Sequence, residues 1–308
     1  MYEVSTALSL RLRWWMRDDS SVIQTFADRF GVVRERVGPL VWGLDPSSEV
    51  LCDWGLGDNP DGLDRFVDIV LGVATDTVGL VKPQSAFYER HGWRGIRSLT
   101  RLCAEARSAG LLVILDAKRG DVGSTNDAYA EAYLGKDAPI EVDALTVHPY
   151  LGLAAMGAFI SRAHEAGSCV LVVTRSSNHE GRGVQAAETK PGLPVEVDLL
   201  RQIGQLNAEL SPDRIGPVGA VIGPREWEAP LDLVSPHGIY LAPGVGAQGA
   251  TVDDVVQVFA ACPDRVMPSA SRSLLSHGPD PKALRDGVNS LADEFCFRLA
   301  ATSTYSEW

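Results

Sequence analysis

The chain has 308 residues, of which 45% are hydrophobic and 22% are charged, and this ordinary globular composition excludes a disordered or fibrous protein. Lys and Arg number 28 against 40 Asp and Glu, giving a net charge of −12. A general nucleic-acid surface needs a basic face and is therefore not expected, although a few local cations could still hold a small anionic ligand. No apolar run approaches the ~18 residues of a membrane span, so no membrane association is predicted.

The predicted location is the cytoplasm. The five cysteines are scattered along the chain and form no CxxC pair, which favours reduced thiols and no zinc site. Arg11 and Arg13 interrupt the apolar stretch near the N-terminus, so this stretch does not have the core of a signal peptide.

Eight short apolar runs, rich in Val, Ile and Leu, alternate with longer segments of helical periodicity. Such runs are typical of parallel strands buried on both faces. Strands that alternate with helices imply βαβ units, and eight of them favour a closed (β/α)₈ TIM barrel over an open sheet. The predicted strands are Leu40–Leu44, Val78–Val81, Leu111–Leu115, Ala144–Val147, Cys169–Val173, Val218–Ile222, Ile239–Leu241 and Val266–Met267. The predicted helices are Leu63–Ala74, Trp93–Ala109, Ala154–Ala166, Val195–Glu209, Val252–Ala261 and Pro281–Leu299.

The chain is predicted to form a single domain. Length alone predicts about two domains, but an α/β barrel can fill this length as one. No Pro- or Ser-rich linker divides the sequence, so we interpret residues 1–19 as an N-terminal extension and 20–308 as the barrel. The longest irregular stretch, Ser176–Pro194, follows the fifth predicted strand. A loop of this length inside a compact domain is usually functional or disordered, and as a functional loop it is the candidate lid.

Polar residues close most of the predicted strands. In a parallel barrel, catalytic groups lie where the strands end at the C-terminal face. Several such residues at one rim therefore predict an active site. They are Asp45 after the first strand, Lys82 after the second, Asp116–Asp121 after the third, His148 after the fourth, Thr174–Asn178 after the fifth, Pro243–Gly249 after the seventh and Ser269–Arg272 after the eighth.

The cluster after the third strand is the most informative. Asp116 and Lys118 are two residues apart, so on an extended strand they point to the same side. The carboxylates of Asp116 and Asp121 favour a charged Lys118 and repel any further negative charge. This arrangement suits a reaction in which a substrate carboxylate leaves as neutral CO₂ and Lys118 protonates the carbon left behind. An ion-pair network at a barrel rim would have the same spacing, so both interpretations stay open at this point.

The seventh and eighth strands are followed by a candidate phosphate site. Gly244, Gly246 and Gly249 lie in a seven-residue loop, and such loops expose backbone N–H groups that bind anions. Arg272 adds a fork of donors, and barrels frequently bind phosphate at these two loops. A plain glycine-rich turn is the alternative. His148 could be a structural or a catalytic residue. Since no His, Cys and Asp cluster has metal-ligand spacing, we expect no metal site.

Seven motifs in the same order resemble orotidine 5′-phosphate decarboxylases, most closely their longer bacterial branch. The motifs are GLDP at 43–46, VKPQSAFYERHG at 81–92, LDAKRGDVGST at 115–125, LTVHPYLG at 145–152, VTRSSN at 173–178, APGVGAQG at 242–249 and SRSLL at 271–275. The resemblance implies a homodimeric TIM barrel with two shared active sites and neither a metal nor an organic cofactor. It also implies conversion of orotidine 5′-phosphate to UMP and CO₂, the last step of de novo pyrimidine nucleotide synthesis.

The same resemblance implies a role for each matching residue. Lys82, Asp116, Lys118 and Asp121 would form a charged array, in which Lys118 protonates C6 and Asp121 reaches into the partner's site. The expected substrate-binding residues are Thr125 for the partner's ribose, Asp45 for a ribose hydroxyl, Ser177 for the pyrimidine edge, and Gln248 with Arg272 for the phosphate.

Two departures from the family pattern leave other functions open. His148 stands where the longer branch usually has Ser, and GPREW at 223–227 replaces the usual Gly-Ala-Thr. A specialised paralogue could act on a related nucleotide. Sugar-phosphate decarboxylases and synthases of the superfamily resemble the third-strand motif, but they use Mg²⁺ with a Glu near the position of Lys82. A non-catalytic nucleotide-binding protein is the last alternative, and the intact charged array argues against it.

Overall fold

The computed structural model of the protein describes residues 23–224 and 230–303. Eight parallel strands close into a barrel in chain order, and the first strand pairs with both the second and the eighth. Helices alternate with most of the strands, so the predicted (β/α)₈ barrel is confirmed. The predicted N-terminal extension, residues 1–19, lies outside the described residues.

The strands and helices have the following bounds. The strands are β1 (Val41–Leu44), β2 (Leu80–Pro83), β3 (Leu112–Arg119), β4 (Ala144–Val147), β5 (Cys169–Arg175), β6 (Val218–Ile222), β7 (Tyr240–Pro243) and β8 (Val266–Ala270). The α-helices are α1 (Phe26–Val37), α2 (Ser48–Asp53), α3 (Pro60–Thr77), α4 (Ser85–Glu89), α5 (Gly92–Ser108), α6 (Ser124–Tyr133), α7 (Gly157–Ala166), α8 (Arg182–Gln185), α9 (Val195–Leu210), α10 (Val252–Val258), α11 (Arg272–Leu275) and α12 (Pro281–Ser303).

All eight predicted strands are present, but β3 runs four residues beyond its predicted end at Leu115. Three of these four residues, Asp116, Lys118 and Arg119, are charged, so an apolar run cannot reveal them. Helix α6 was not predicted because its sequence, STNDAYAEAY, offers little apolar periodicity, and it buries only Asn126, Ala130 and Tyr133. The start of helix α3, in contrast, is marked in the sequence by an N-cap residue. Asn59 Oδ1 accepts hydrogen bonds from the N–H groups of Asp61 and Gly62 at 3.0 Å each.

The residues that point into the barrel change from apolar to polar along the strands. Leu80, Ile114 and Ala144 belong to the core cluster inside the barrel, into which α1 packs Phe26, Phe30 and Val33. Two residues further along each strand the same inward face carries Lys82, Asp116 and Thr146, because side chains alternate with period two. The C-terminal end of the barrel therefore has a polar interior above an apolar one.

The segment Ser176–Pro194 is more regular than expected. It contains a 3₁₀ turn at His179–Gly181, the short helix α8 and an antiparallel bridge between Glu188 and Pro194. Gln185 fixes the start of the segment, since its Oε1 accepts from the Ser176 N–H at 3.1 Å and its Nε2 donates to Ser176 Oγ at 2.8 Å. The prediction of an irregular loop is therefore wrong, and the physical reason is that side-chain contacts rather than periodicity stabilise these short elements.

Among residues 23–224 and 230–303, no helix combines the length and the apolarity that a membrane span requires.

Candidate active site

A cavity of about 550 Å³ opens at the C-terminal end of the barrel, a usual size for a small-molecule site. A cleft of about 680 Å³ at the opposite end, against α1, is larger but contains none of the predicted strand-end residues, so size alone does not identify the site. Seven of the nine predicted site residues line the C-terminal cavity: Asp45, Lys82, Asp116, Lys118, Ser177, Gln248 and Arg272. Asp121 and Thr125 do not.

Asp116 is the centre of the charged array. Its Oδ2 lies 3.2 Å from Lys82 Nζ, and its Oδ1 lies 2.5 Å from Lys118 Nζ. Thr146 Oγ1 donates a third hydrogen bond to Oδ1 at 2.9 Å. The Lys82 side chain is buried and that of Asp116 is 12% exposed, whereas that of Lys118 is 47% exposed and lines the cavity. One carboxylate therefore holds two ammonium groups, one in the barrel and one toward the ligand space.

Asp116 and Lys82 are both ionised at neutral pH. Burial by itself would raise the pKa of the Asp116 carboxyl, but the charges of Lys82 and Lys118 hold that pKa well below its usual range. Burial opposes the charge of Lys82, yet the carboxylates of Asp116 and Asp45 raise the pKa of Lys82 above its ordinary value. The interior of the cavity therefore holds two fixed, opposite charges.

Lys118 has an unusual backbone. Its φ is 46°, in the left-handed region that few non-glycine residues adopt, and His237 is the other described non-glycine residue there. The pairing of β3 with β4 is irregular at the same place, between Leu115 and Arg119. Strained residues of this kind persist where the surrounding structure holds them, and they cluster at functional sites.

Three buried oxygen atoms of the cavity wall lack a hydrogen-bond partner among the described residues. They are Asp45 Oδ1, Gln84 Oε1 and Ser271 Oγ. Buried polar atoms are normally paired, so these atoms are available to the hydroxyl or amide groups of a ligand. The sequence analysis assigned no role to Gln84 or Ser271, although Ser271 lies in the predicted rim segment Ser269–Arg272. Gln84 is two residues after Lys82, and because side chains along a strand alternate with period two, this spacing predicts that both side chains point to the same side.

The loops after β5 and β7 meet across the cavity mouth. Ser177 Oγ donates to Gln248 Oε1 at 2.7 Å. Gly246 has a φ of 78°, and a Cβ there would lie 2.7 Å from Ser273 Oγ, so this loop conformation requires glycine.

Arg272 supplies a positive charge at the cavity mouth, next to the loop that follows β7. It is exposed at the start of α11, and its guanidinium makes no hydrogen bond or ion pair with any residue that the structure describes. A guanidinium at a cavity rim with no protein partner is suited to an anionic ligand.

Asp121 and Thr125 lie outside the cavity, beyond the end of β3. Asp121 is half-buried, and its Oδ1 accepts from the Val122 N–H at 2.8 Å. Thr125 is exposed in the first turn of α6. Exposed apolar side chains follow the ends of two neighbouring strands, namely Val122 on the same loop and Tyr150 and Leu151 after β4.

His148 packs against the turn that follows β3 and does not line the cavity. Its N–H donates to the Arg119 carbonyl at 3.0 Å, and a Cβ on Gly120 would lie 2.6 Å from the His148 carbonyl oxygen. These contacts favour the structural interpretation of His148.

Of the departure at 223–227, residues 225–227 lie outside the described residues. Within the described ranges, no three His, Cys, Asp or Glu side chains are grouped in a way that could hold a metal ion.

The model of one protein family matches residues 38–286, and its description is orotidine 5′-phosphate decarboxylase / HUMPS family. An orotidine 5′-phosphate decarboxylase of Streptomyces coelicolor is 43% identical over 282 residues, which cover 92% of this chain and 100% of that protein. One of Salinispora arenicola is 47% identical over 262 residues, covering 85% and 93%. A crystal structure from Streptomyces avermitilis, assigned as an orotidine 5′-phosphate decarboxylase, superimposes with a TM-score of 0.87 at 42% identity, covering 92% and 99%. The chain therefore belongs to the orotidine 5′-phosphate decarboxylase / HUMPS family.

Proposed function

We propose that this protein decarboxylates orotidine 5′-phosphate to UMP and CO₂, the last step of de novo pyrimidine nucleotide synthesis. The observation that carries the proposal is the Lys82–Asp116–Lys118 array in a cavity whose rim also holds Arg272. The names of the Streptomyces and Salinispora relatives, at 43% and 47% identity, support the same substrate.

The array provides for both halves of the reaction. The bond between ring C6 and the carboxylate breaks, its electron pair stays on C6, and the carboxylate leaves as CO₂. This electron pair lies in the plane of the ring, so the ring carbonyls delocalise it poorly, and a fixed cation beside C6 is the effective means of stabilisation. Lys118 is that cation, and it donates the proton that completes UMP. Asp116, 2.5 Å from Lys118 Nζ, keeps the ammonium in place and repels the substrate carboxylate that is to be lost.

The remaining cavity residues bind the parts of the substrate that do not react. Asp45, with its unpaired buried Oδ1, binds a ribose hydroxyl. Ser177 binds the pyrimidine edge, and Gln248 with Arg272 binds the phosphate. Binding energy from the distant phosphate can raise the rate by ordering the site, and residues 176–194 act as the lid over it.

The proposed catalytic unit is a homodimer with two shared active sites. Asp121 and Thr125 do not line the cavity of their own barrel, and exposed apolar side chains, among them Tyr150 at 80% exposure, follow the ends of β3 and β4. A second copy related by a two-fold axis would cover this surface and receive both residues in its own site. The proposed place of the reaction is the cytoplasm.

A spectrophotometric assay of orotidine 5′-phosphate, followed by the loss of its absorbance, tests the proposal. We expect turnover by the wild type that EDTA does not change, because the array supplies the cation that stabilises the carbanion. Lys118→Ala should be inactive, and Lys282→Ala, which removes an exposed lysine that does not line the cavity, is the matched control. Absence of turnover would refute the proposal. Activity that is lost in EDTA and returns with Mg²⁺ would assign the protein to the sugar-phosphate enzymes.

A further inference from the structure

Strands β3 and β4 lose their regular pairing where the charged array begins. Leu115 pairs with Leu145, and the next paired residues are Arg119 and Val147. The three residues from Asp116 to Lys118 therefore stand opposite a single residue, Thr146. A β-bulge of this kind turns side chains in new directions and leaves backbone groups without their ladder partners.

The hydroxyl group of Thr146 bonds both to a backbone N–H group of the bulge and to a side chain that the bulge redirects. It is buried in β4, and its Oγ1 accepts from the Lys118 N–H at 3.0 Å and donates to Asp116 Oδ1 at 2.9 Å. The direction of both bonds is determined, because a backbone N–H can only donate and an ionised carboxylate can only accept. A threonine hydroxyl has the one proton and the lone pairs that this bridge requires.

The bridge bears directly on Lys118. A φ of 46° is strained for lysine and persists only where surrounding contacts hold it. The described contacts are the N–H bond to Thr146 and the ion pair of Nζ with Asp116 at 2.5 Å, and Asp116 itself is bonded to Thr146. Both ends of Lys118 are thus connected to the same hydroxyl group.

We infer that Thr146 is a positioning residue for decarboxylation, which orients the Asp116 carboxylate and the backbone turn from which Lys118 reaches the reacting carbon. This inference rests on the proposed function. Thr146 lines the cavity, but it acts through Asp116 and Lys118 rather than by holding the ligand. Valine has nearly the same shape and suits a strand equally well, so the hydroxyl is the property that the position requires.

Steady-state kinetics of Thr146→Val and Thr146→Ser test the inference. Loss of a hydrogen bond to a charged group, and a small displacement of the reacting group, should lower kcat of the Val variant about 10- to 100-fold. KM for orotidine 5′-phosphate and Kd for UMP should change less than about threefold, because the ligand contacts stay. The Ser variant keeps the hydroxyl and should keep kcat within about threefold of the wild type. Thr77→Val is the matched control, since Thr77 is also buried and its hydroxyl donates to the Val73 carbonyl at 2.9 Å, away from the cavity.

Three results would overturn the inference. They are a Val variant that keeps kcat within about threefold of the wild type, a Val variant that loses UMP affinity as strongly as kcat/KM, and a Ser variant as slow as Val. If the Val variant does not fold, Thr146→Cys, whose thiol forms only weak hydrogen bonds, is held to the same criteria. A wild type without turnover refutes the proposed function, whereas an active wild type with an unaffected Val variant refutes only the role of Thr146.

Discussion

A buried carboxylate joins the fifth strand to the loop that follows it. Glu196, in the first turn of α9, accepts hydrogen bonds at 2.8 and 2.7 Å from Arg175 at the end of β5. It accepts two more, at 3.0 and 2.9 Å, from Arg182 in α8. Burial would raise the pKa of the Glu196 carboxyl, but hydrogen bonds from the two guanidinium groups outweigh burial and lower that pKa. Glu196 is therefore ionised at neutral pH.

Glu196→Gln keeps the shape of this side chain and removes its charge. Breaking a buried ion pair by removing one partner costs about 3–5 kcal/mol. Arg182 is partly exposed, so water can compensate part of its charge, and we expect a loss near the lower end, about 3 kcal/mol. Asp68→Asn is the matched control, because Asp68 is 62% exposed and pairs with Arg101 on the protein surface. An exposed pair of this kind contributes less than about 1 kcal/mol.

Equilibrium unfolding in urea, at one fixed protein concentration, measures both variants. The buried Trp42 and Trp54 are suitable fluorescence reporters. The difference between wild type and Glu196→Gln should also depend on pH. The pKa of Glu196 is lower in the folded protein than its ordinary value of 4.5, so the stabilisation is present above about pH 4.5 and is lost as the pH falls through the lowered folded value. The difference should therefore shrink in acid. A variant within about 1 kcal/mol of the wild type at pH 7, or a difference that persists in acid, would refute this account.

Three further predictions concern the proposed site. Lys118→Ala should abolish turnover while UMP still binds, since the variant loses the proton donor and a central cation; more than a tenth of wild-type kcat would contradict this role. Arg272→Ala should weaken UMP by roughly 10- to 150-fold in Kd, because a charge-assisted contact is lost, and should leave uridine nearly unchanged; equal losses for both ligands would show that Arg272 is not at the phosphate. Inactive Asp121→Ala mixed with inactive Lys118→Ala should recover about a quarter of wild-type activity after subunit exchange, since about half of the dimers then carry one intact site of two. Confirmed exchange without recovery would place Asp121 in the site of its own subunit.

The amino-acid sequence was sufficient to predict the barrel architecture and most of the residues at the rim of the site. Apolar runs located the eight strands because parallel barrel strands are buried on both faces, and the closed barrel then follows from their number and their alternation with helices. The predicted residues that close the strands come together for a similar reason. All parallel strands end at the same face, so Asp45, Lys82, Asp116 and Arg272 share one cavity although most of the chain separates the first from the last.

The contacts that hold these residues in place could not be predicted from the sequence. The Thr146 hydroxyl meets residues 28 and 30 positions away, and this contact depends on where the pairing of β3 and β4 shifts. A shift of one residue in a strand turns each side chain to the opposite face, and local sequence does not encode where that happens. The ordered turns of Ser176–Pro194 depend in the same way on Gln185 and Arg182 finding their partners. Periodicity records which face of an element is buried, whereas polar contacts between elements are determined by register and packing.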